Sequence, residues 1–139
     1  MISHFAALQF LLSEIRKGAV TAVHSAKSGH PGGSLSAADI YTYLFFEEMN
    51  VDPADPKKAD RDRFVLSKGH TAPGYYATLA NRGFFPVEDL TTLRKVGSYL
   101  QGHPDMKHIP SMLITWKLNA SNFLSIGYGE FTSSIAPSI

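Results

Sequence analysis

The sequence predicts an α/β domain, and three observations support this expectation. Apolar residues recur at helical spacing in two stretches near the amino terminus, a short continuous apolar run follows a polar connection, and further helical segments come after that run. A short apolar run bounded by charge and glycine is typical of a strand buried in a parallel sheet. Helices on both sides of such a strand indicate a layered α/β architecture.

The first helix is predicted from Ser3 to about Lys27. Its apolar residues recur at steps of three and four, which gives the helix one buried face: Phe5, Leu8, Leu12, Ile15, Ala19 and Val23. We expect Ser28-Gly29, followed by Pro31, to end this helix, because glycine and then proline commonly follow a helix terminus.

The second helix is predicted to open at Ser36 and to run to about Met49. Ser36 with Asp39 three positions later resembles a capping box in which Asp replaces Glu. The polar stretch from residue 50 to 62 then connects this helix to the apolar run Phe64–Ser67, which we interpret as a buried strand.

Two further helices are predicted after the strand, and a weaker strand lies near the end of the chain. The third helix runs from Pro73 to Arg82, with Gly83 as its stop, and a short fourth one runs from Pro86 to about Val96. The fourth carries acidic residues in its first turn and Arg94 and Lys95 in its last, as the helix dipole favours. A strand around residues 123–126 is a further expectation.

The composition is that of a soluble globular domain, or of a piece of one, and excludes several classes of function. The chain has 139 residues, 44% of them apolar, and a formal net charge of +1. This charge gives no reason to expect a nucleic-acid or anionic-membrane partner. The absence of cysteine from the sequence excludes disulfides, thiolate nucleophiles and zinc–thiolate sites. No apolar run is long enough to span a bilayer, and we expect a cytoplasmic protein.

Three Gly-His pairs are the candidate functional residues: Gly29-His30, Gly69-His70 and Gly102-His103. Histidine exchanges protons and hydrogen bonds near neutral pH, and an adjacent glycine lets the backbone approach a ligand closely. Each pair is predicted to follow the end of a secondary-structure element. We therefore expect one polar site built from several loops.

The sequence around these pairs resembles the transketolase family. Residues 23–36, with the string Ser-Gly-His-Pro-Gly-Gly, resemble the first signature of the family, and residues 63–70 resemble the second. Gly102-His103-Pro104-Asp105 resembles the third, which usually reads Gly-His-Pro-Glu. The order and spacing also fit, and the match covers about residues 15–110. A sister family that makes deoxyxylulose phosphate with the same cofactor fits these strings less well.

The resemblance implies an incomplete doubly wound parallel sheet flanked by helices, as in the diphosphate-binding domain of thiamine diphosphate enzymes. It implies transfer of a two-carbon ketol unit from a ketose phosphate to an aldose phosphate, with thiamine diphosphate and Mg²⁺ as cofactors, in the pentose phosphate pathway. His30 and His103 would be catalytic and face the substrate's oxygens, and His70 would reach the diphosphate. The implied partners are sugar phosphates, together with a second copy of the chain or a carboxy-terminal transketolase subunit.

The resemblance breaks after Pro110. The family continues with a Gly-Ser/Pro-Leu-Gly-Gln-Gly stretch, whereas this chain has Ser111-Met112-Leu113-Ile114. In the family's Gly-Asp-Gly-Glu string the Asp ligates magnesium, and the nearest string here, Gly-Tyr-Gly-Glu at 127–130, has tyrosine in its place. We therefore divide the chain into a family section, 1–110, and a divergent tail, 111–139, and assign no metal ligand. A deletion and a frameshift both explain the tail.

Two alternatives to a working transketolase section stay open. The chain alone is expected to be inactive, and it could be a non-catalytic remnant or interaction module that no longer binds the cofactor. The second alternative is a metal hydrolase that uses the three histidines. Against it, the sequence has neither an HExxH motif nor a His-x-His spacing.

Overall fold

A computed structural model describes residues 3–104, Ile109 and the backbone of a two-residue strand near the carboxyl end. Its elements, in chain order, are helix α1 (His4–Ala26), helix α2 (Pro31–Tyr43) with a π-helical turn (Leu44–Glu48), strand β1 (Phe64–Val65), a 3₁₀ turn (Gly69–Thr71), helix α3 (Ala72–Arg82), a second 3₁₀ segment (Val87–Thr92) and strand β2 (Leu124–Ser125). The alternation of helices and strands agrees with the predicted α/β class.

Helix α1 confirms the first predicted helix and its end near Lys27, but the predicted apolar face is fully buried only at Ile15 and Ala19, and Phe5 is 67% exposed. The Ser3 hydroxyl caps the start by accepting a hydrogen bond from the Ala6 amide at 3.2 Å. The helix ends at Ala26, and Lys27 takes the left-handed conformation (φ 48°). Lys27 therefore occupies the position at which glycine is usual. The predicted stop at Ser28-Gly29 lies just beyond it, in the connection to α2.

Helix α2 begins at Pro31, so the predicted capping box is wrong. Proline lacks an amide hydrogen and has a fixed φ, and it is therefore well suited to the first helical position. Ser36 and Asp39 lie inside the helix. The Ser36 hydroxyl donates to the carbonyl of Gly33 at 3.0 Å, and Asp39 accepts a 2.7 Å hydrogen bond from Arg16 of α1. The predicted end near residue 49 is confirmed, because the π-helical turn extends α2 to residue 48.

The core lies between the three long helices and β1. Four aromatic side chains pack around the strand, with the rings of Phe64 and Tyr75 stacked at 5.4 Å and the rings of Phe45 and Phe64 edge to face at 5.4 Å. Tyr41 completes the group at 5.9 Å from Phe64. All four side chains are fully buried, and they anchor the ends of α2 and α3 to the strand.

The two short strands pair in parallel. Phe64 is aligned with Leu124, and Val65 with Ser125. The predicted strand at 64–67 is thus confirmed over its first two residues, and the one at 123–126 over its middle two. The other residues of the tail, and His108, lie outside the described residues, so the proposed boundary at residue 110 stays a prediction.

Helix α3 confirms the third predicted helix, and the fourth prediction is partly wrong. Gly83 takes the left-handed conformation (φ 98°) and ends α3 as expected. The fourth helix is a 3₁₀ segment that stops at Thr92, so Arg94 and Lys95 are not in a last helical turn. The backbone amide of Arg94 instead donates to the carbonyl of Leu100 at 2.9 Å, and this bond closes a loop where the helix was expected to continue.

Candidate functional site

Two of the three predicted site histidines lie together. The rings of His30 and His70 meet edge to face, with centroids 5.0 Å apart and planes inclined by 77°. His30 is exposed and immediately precedes α2, whereas His70 is half-buried in the 3₁₀ turn that leads into α3. The two imidazoles therefore share one patch at the amino-terminal ends of two helices.

The pairing of the histidines depends on close contact between the starts of α2 and α3. A Cβ atom added to Gly33 would lie 2.4 Å from the Cγ2 atom of Thr71, and one added to Gly74 would lie 3.0 Å from the backbone of Ser34. The Ser34 hydroxyl, which is buried, donates to the Thr71 carbonyl at 3.3 Å. Each helix therefore contributes one glycine to the crossing, and a larger side chain at either position requires the atoms opposite it to shift.

His103, the third predicted site residue, lies in an exposed loop that is attached to α3. The Tyr76 hydroxyl donates to the carbonyl of Gln101 at 2.8 Å, and Leu100 and Pro104 on either side are buried. These contacts fix the backbone on both sides of His103 and leave the imidazole at the surface.

Arg94 connects the loops of His103 and His30, and the sequence analysis did not identify it. Its Nη1 atom donates to the Ser28 hydroxyl at 2.5 Å, two residues before His30. A Cβ atom on Gly102 would lie 2.8 Å from the Arg94 Nε atom. From the sequence, the charge pattern predicts Arg94 in the last turn of a helix. In the structure Arg94 instead contacts Ser28, which is 66 residues away in the chain, and a local sequence pattern cannot reveal such a contact.

The core contains two tyrosines, Tyr41 and Tyr75, whose hydroxyl groups are buried. Neither hydroxyl group has a hydrogen-bond partner among the described residues. Burial raises the pKa of Tyr41 to about 12, and the nearby Thr71 hydroxyl offsets a smaller part of that rise. Burial also raises the pKa of Tyr75 well above its ordinary value.

The arrangement suits an anionic, oxygen-rich ligand. Imidazoles offer donors and acceptors near neutral pH. The starts of α2 and α3, which meet at this patch, also carry the positive ends of the helix dipoles. The space beside Gly32 is open, since a Cβ atom there would meet nothing within 4 Å. A diphosphate fits such donors. Among the described residues there is no group of three or more histidines, cysteines or carboxylates that could hold a metal ion.

No helix within the described ranges is both long and apolar enough to cross a membrane.

Comparison with known proteins identifies the family. The model of the family described as "Transketolase, thiamine diphosphate binding domain" matches residues 8–117. The chain is 46% identical over 98 residues to the transketolase of Mus musculus, which covers 70% of the chain and 16% of that protein. It is 42% identical over 114 residues to one subunit of the apulose-4-phosphate transketolase of Phocaeicola vulgatus, covering 82% of the chain and 40% of the relative. The 6-deoxy-6-sulfo-D-fructose transketolase subunit of a Clostridium strain is 44% identical over 100 residues, covering 72% of the chain and 36% of the relative.

Solved structures agree with the sequence comparison. The transketolase of Leishmania mexicana superposes with a TM-score of 0.72 at 36% identity, over 76% of this chain and 16% of that one. The transketolase of Pichia stipitis in complex with sedoheptulose 7-phosphate gives a TM-score of 0.72 at 42% identity, with the same coverage. The chain thus spans between 16% and 40% of the length of the relatives named here. It belongs to the transketolase family and corresponds to part of the thiamine diphosphate-binding domain.

Proposed function

We propose that this chain contributes the amino-terminal part of a thiamine diphosphate site that transfers a two-carbon ketol unit from a ketose phosphate to an aldose phosphate. The observation that carries the proposal is the contact between His30 and His70, which places two imidazoles at the starts of two helices. A site of this kind offers several neutral-pH donors to a phosphorylated, hydroxyl-rich ligand.

The three histidines are proposed to have different roles. His70, half-buried against α3, would donate to the cofactor's diphosphate. His30 and His103 are exposed, and they would face the hydroxyl and carbonyl oxygens of the sugar, holding or moving a proton at those oxygens and stabilising developing negative charge. The cofactor, when bound, supplies the nucleophilic carbon and the electron sink, which side chains lack.

The proposed fold around the site is an incomplete doubly wound parallel sheet flanked by helices. The parallel pairing of β1 with β2 supports it. The described residues contain no group of three or more histidines, cysteines or carboxylates that could hold a metal ion, and Glu130 lies outside them.

The proposed partner is a second copy of the chain or a carboxy-terminal transketolase subunit. Two of the relatives carry the word "subunit" in their names, and this chain spans less than half of either. A cytoplasmic location, sugar phosphates as substrates and a role in the pentose phosphate pathway belong to the same proposal.

Calorimetric titration of the chain with thiamine diphosphate, with and without Mg²⁺, tests the cofactor site. Saturable binding is expected, with a loss of about tenfold or more in affinity for His70→Ala, since a charge-assisted hydrogen bond contributes about 1.5–3 kcal/mol. The matched control is His24→Ala, which removes an exposed imidazole from α1 and should leave binding unchanged. Equal affinities of the two variants would refute the role of His70.

Mixing the chain with a transketolase pyrimidine domain tests the reaction itself. Ketol transfer by the mixture supports the proposal. A complex that forms and stays inactive favours the second candidate, a non-catalytic interaction module. The exposed apolar surface of α1 and α2 is the observation that favours this alternative, because Phe5 is 67% exposed, Phe10 65% and Tyr43 53%.

A further inference from the structure

We propose that Arg94 is a positioning residue whose guanidinium holds the loop of His103 against the loop of His30, so that both imidazoles address one substrate. The inference rests on the proposed function for its catalytic consequence, and on the contacts of Arg94 for its geometry.

The backbone places Arg94 at the closure of a well-fixed loop. Its amide donates to the Leu100 carbonyl at 2.9 Å, and its φ of 60° is a left-handed conformation that is uncommon for a residue with a side chain. Leu93 and Leu100, on the two arms of the loop, are each about 1% exposed or less. The buried leucines hold the backbone of Arg94 in this strained conformation, and the loop thereby sets the direction in which the Arg94 side chain leaves the backbone.

The side chain spans the two histidine loops. One end of the guanidinium donates to Ser28, and its Nε, Nη2 and Cζ atoms lie 2.8, 3.0 and 3.1 Å from the position that a Cβ atom of Gly102 would occupy. Glycine at 102 therefore lets the planar group lie directly against the backbone that carries His103. Ser28 precedes His30 by two residues, so one rigid group fixes both loops.

The position of the Arg94 guanidinium is not explained by an ion pair with a carboxylate. Arg94 belongs to none of the salt bridges His4–Glu47, Arg16–Asp39, Lys17–Glu14 and Lys58–Asp60. The contacts of the guanidinium are instead with a hydroxyl and a glycine backbone. A lysine could supply the charge but not the planar fork, so we expect the geometry of the guanidinium to matter.

The first test uses the full chain and needs no cofactor. In ¹H–¹³C spectra of the histidine rings, Arg94→Gly should move the signals of both His30 and His103 and leave that of His24 in place. Glycine accepts the left-handed backbone at 94, so this variant removes the side chain without distorting the loop. Lys95→Ala removes the neighbouring exposed cation and should change neither signal.

Ser28→Ala tests the same link from its other end. It should reproduce the shift of the His30 signal, and the double variant Ser28→Ala/Arg94→Gly should shift it no further than Arg94→Gly alone, because both changes break one interaction. Additive shifts, or a His103 signal that does not respond to Arg94→Gly, would overturn the proposal.

The second test is catalytic and uses the chain combined with the pyrimidine domain. Arg94→Gly should lower kcat/KM by about ten- to hundredfold, as misplaced catalytic groups do. Arg94→Lys should retain less than half of the wild-type activity, and the affinity for thiamine diphosphate should stay unchanged in both variants because His70 is not touched. Wild-type kcat/KM in Arg94→Gly would refute the positioning role. If the wild-type chain bound no cofactor, the proposed function would fail, and the ring signals would still decide whether Arg94 links the loops.

Discussion

Substitution of Gly33 by alanine should drive apart the starts of α2 and α3 and thereby separate His30 from His70. The added Cβ atom would lie 2.4 Å from the Cγ2 atom of Thr71, well inside van der Waals contact. Thr71 cannot easily turn away, because it is fully buried, it is β-branched, and its hydroxyl donates to Lys68 at 2.9 Å. The helices themselves must therefore move.

Two opposing terms set the size of this effect. Alanine in place of glycine favours a helix by up to about 1 kcal/mol, and overpacking a fitted contact costs about 1–3 kcal/mol. Gly32→Ala is the matched control, since it lies in the same helix turn with nothing within 4 Å of its Cβ position. Gly32→Ala should be neutral or stabilising, and Gly33→Ala should be about 1–3 kcal/mol less stable than this control.

Urea unfolding followed by circular dichroism measures both free energies of unfolding. Adding Thr71→Ser to Gly33→Ala removes the clashing methyl group and should recover most of the difference, although Thr71→Ser alone should cost about 0.8 kcal/mol for the lost methyl. Ring spectra of His30 and His70 should change in Gly33→Ala and return towards wild type in the double variant. If Gly33→Ala proved as stable as Gly32→Ala, the tight crossing of α2 and α3 would be refuted.

Two further outcomes follow from the core. Gly18→Ala should destabilise the chain by up to about 2 kcal/mol in urea unfolding, because overpacking against Leu90 at 2.9 Å and Ala77 at 3.0 Å costs about 1–3 kcal/mol, whereas alanine favours the helix by up to about 1 kcal/mol. A raised midpoint would contradict this packing. The raised pKa of Tyr41, about 12 against the ordinary 10.0, predicts stability that is fully present below pH 10 and is lost as the pH rises towards 12. The loss is about 3 kcal/mol, from two units at 1.36 kcal/mol each, and Tyr41→Phe should remove this part of the alkaline destabilisation. Parallel pH profiles of the two proteins would refute it.

The helices that the sequence predicts well are those with a clear apolar period or a strong terminal residue. The sequence of helix α1 has an apolar period along its whole length, although the structure fully buries it only around Ile15 and Ala19. Helix α3 ends at Gly83 as its sequence indicates. The predicted start of α2 at Ser36 is wrong because Ser36 and Asp39 form a plausible cap, whereas Pro31 is compatible with the earlier start that the structure has. When the sequence allows a helix to begin at either of two positions, a capping motif alone does not show at which of them the tertiary contacts make it begin.

The predicted continuation of the fourth helix beyond Thr92 is wrong for a different reason. Its charges fit a helix dipole, but the contribution of a charge near a helix end is only about 0.3–1 kcal/mol. The loop that forms instead gains a backbone hydrogen bond from Arg94 to Leu100 and the burial of two leucines. Long-range contacts therefore outweigh the local preference, and the residue that the local pattern placed at a helix end contacts Ser28.

The structure also shows a second role for glycines near the histidines, which is to allow close packing within the chain. From the sequence we expect the glycine that precedes each histidine to let the backbone approach a ligand. Gly32, which is not one of these, has open space beside it. Gly33 and Gly102 instead face other parts of the chain itself, namely Thr71 and the guanidinium of Arg94. Small residues thus bring the histidine-bearing segments together before any ligand binds. The site's geometry then depends on packing between helices and loops, so substitutions that never touch a ligand should still alter how the histidines are presented to one.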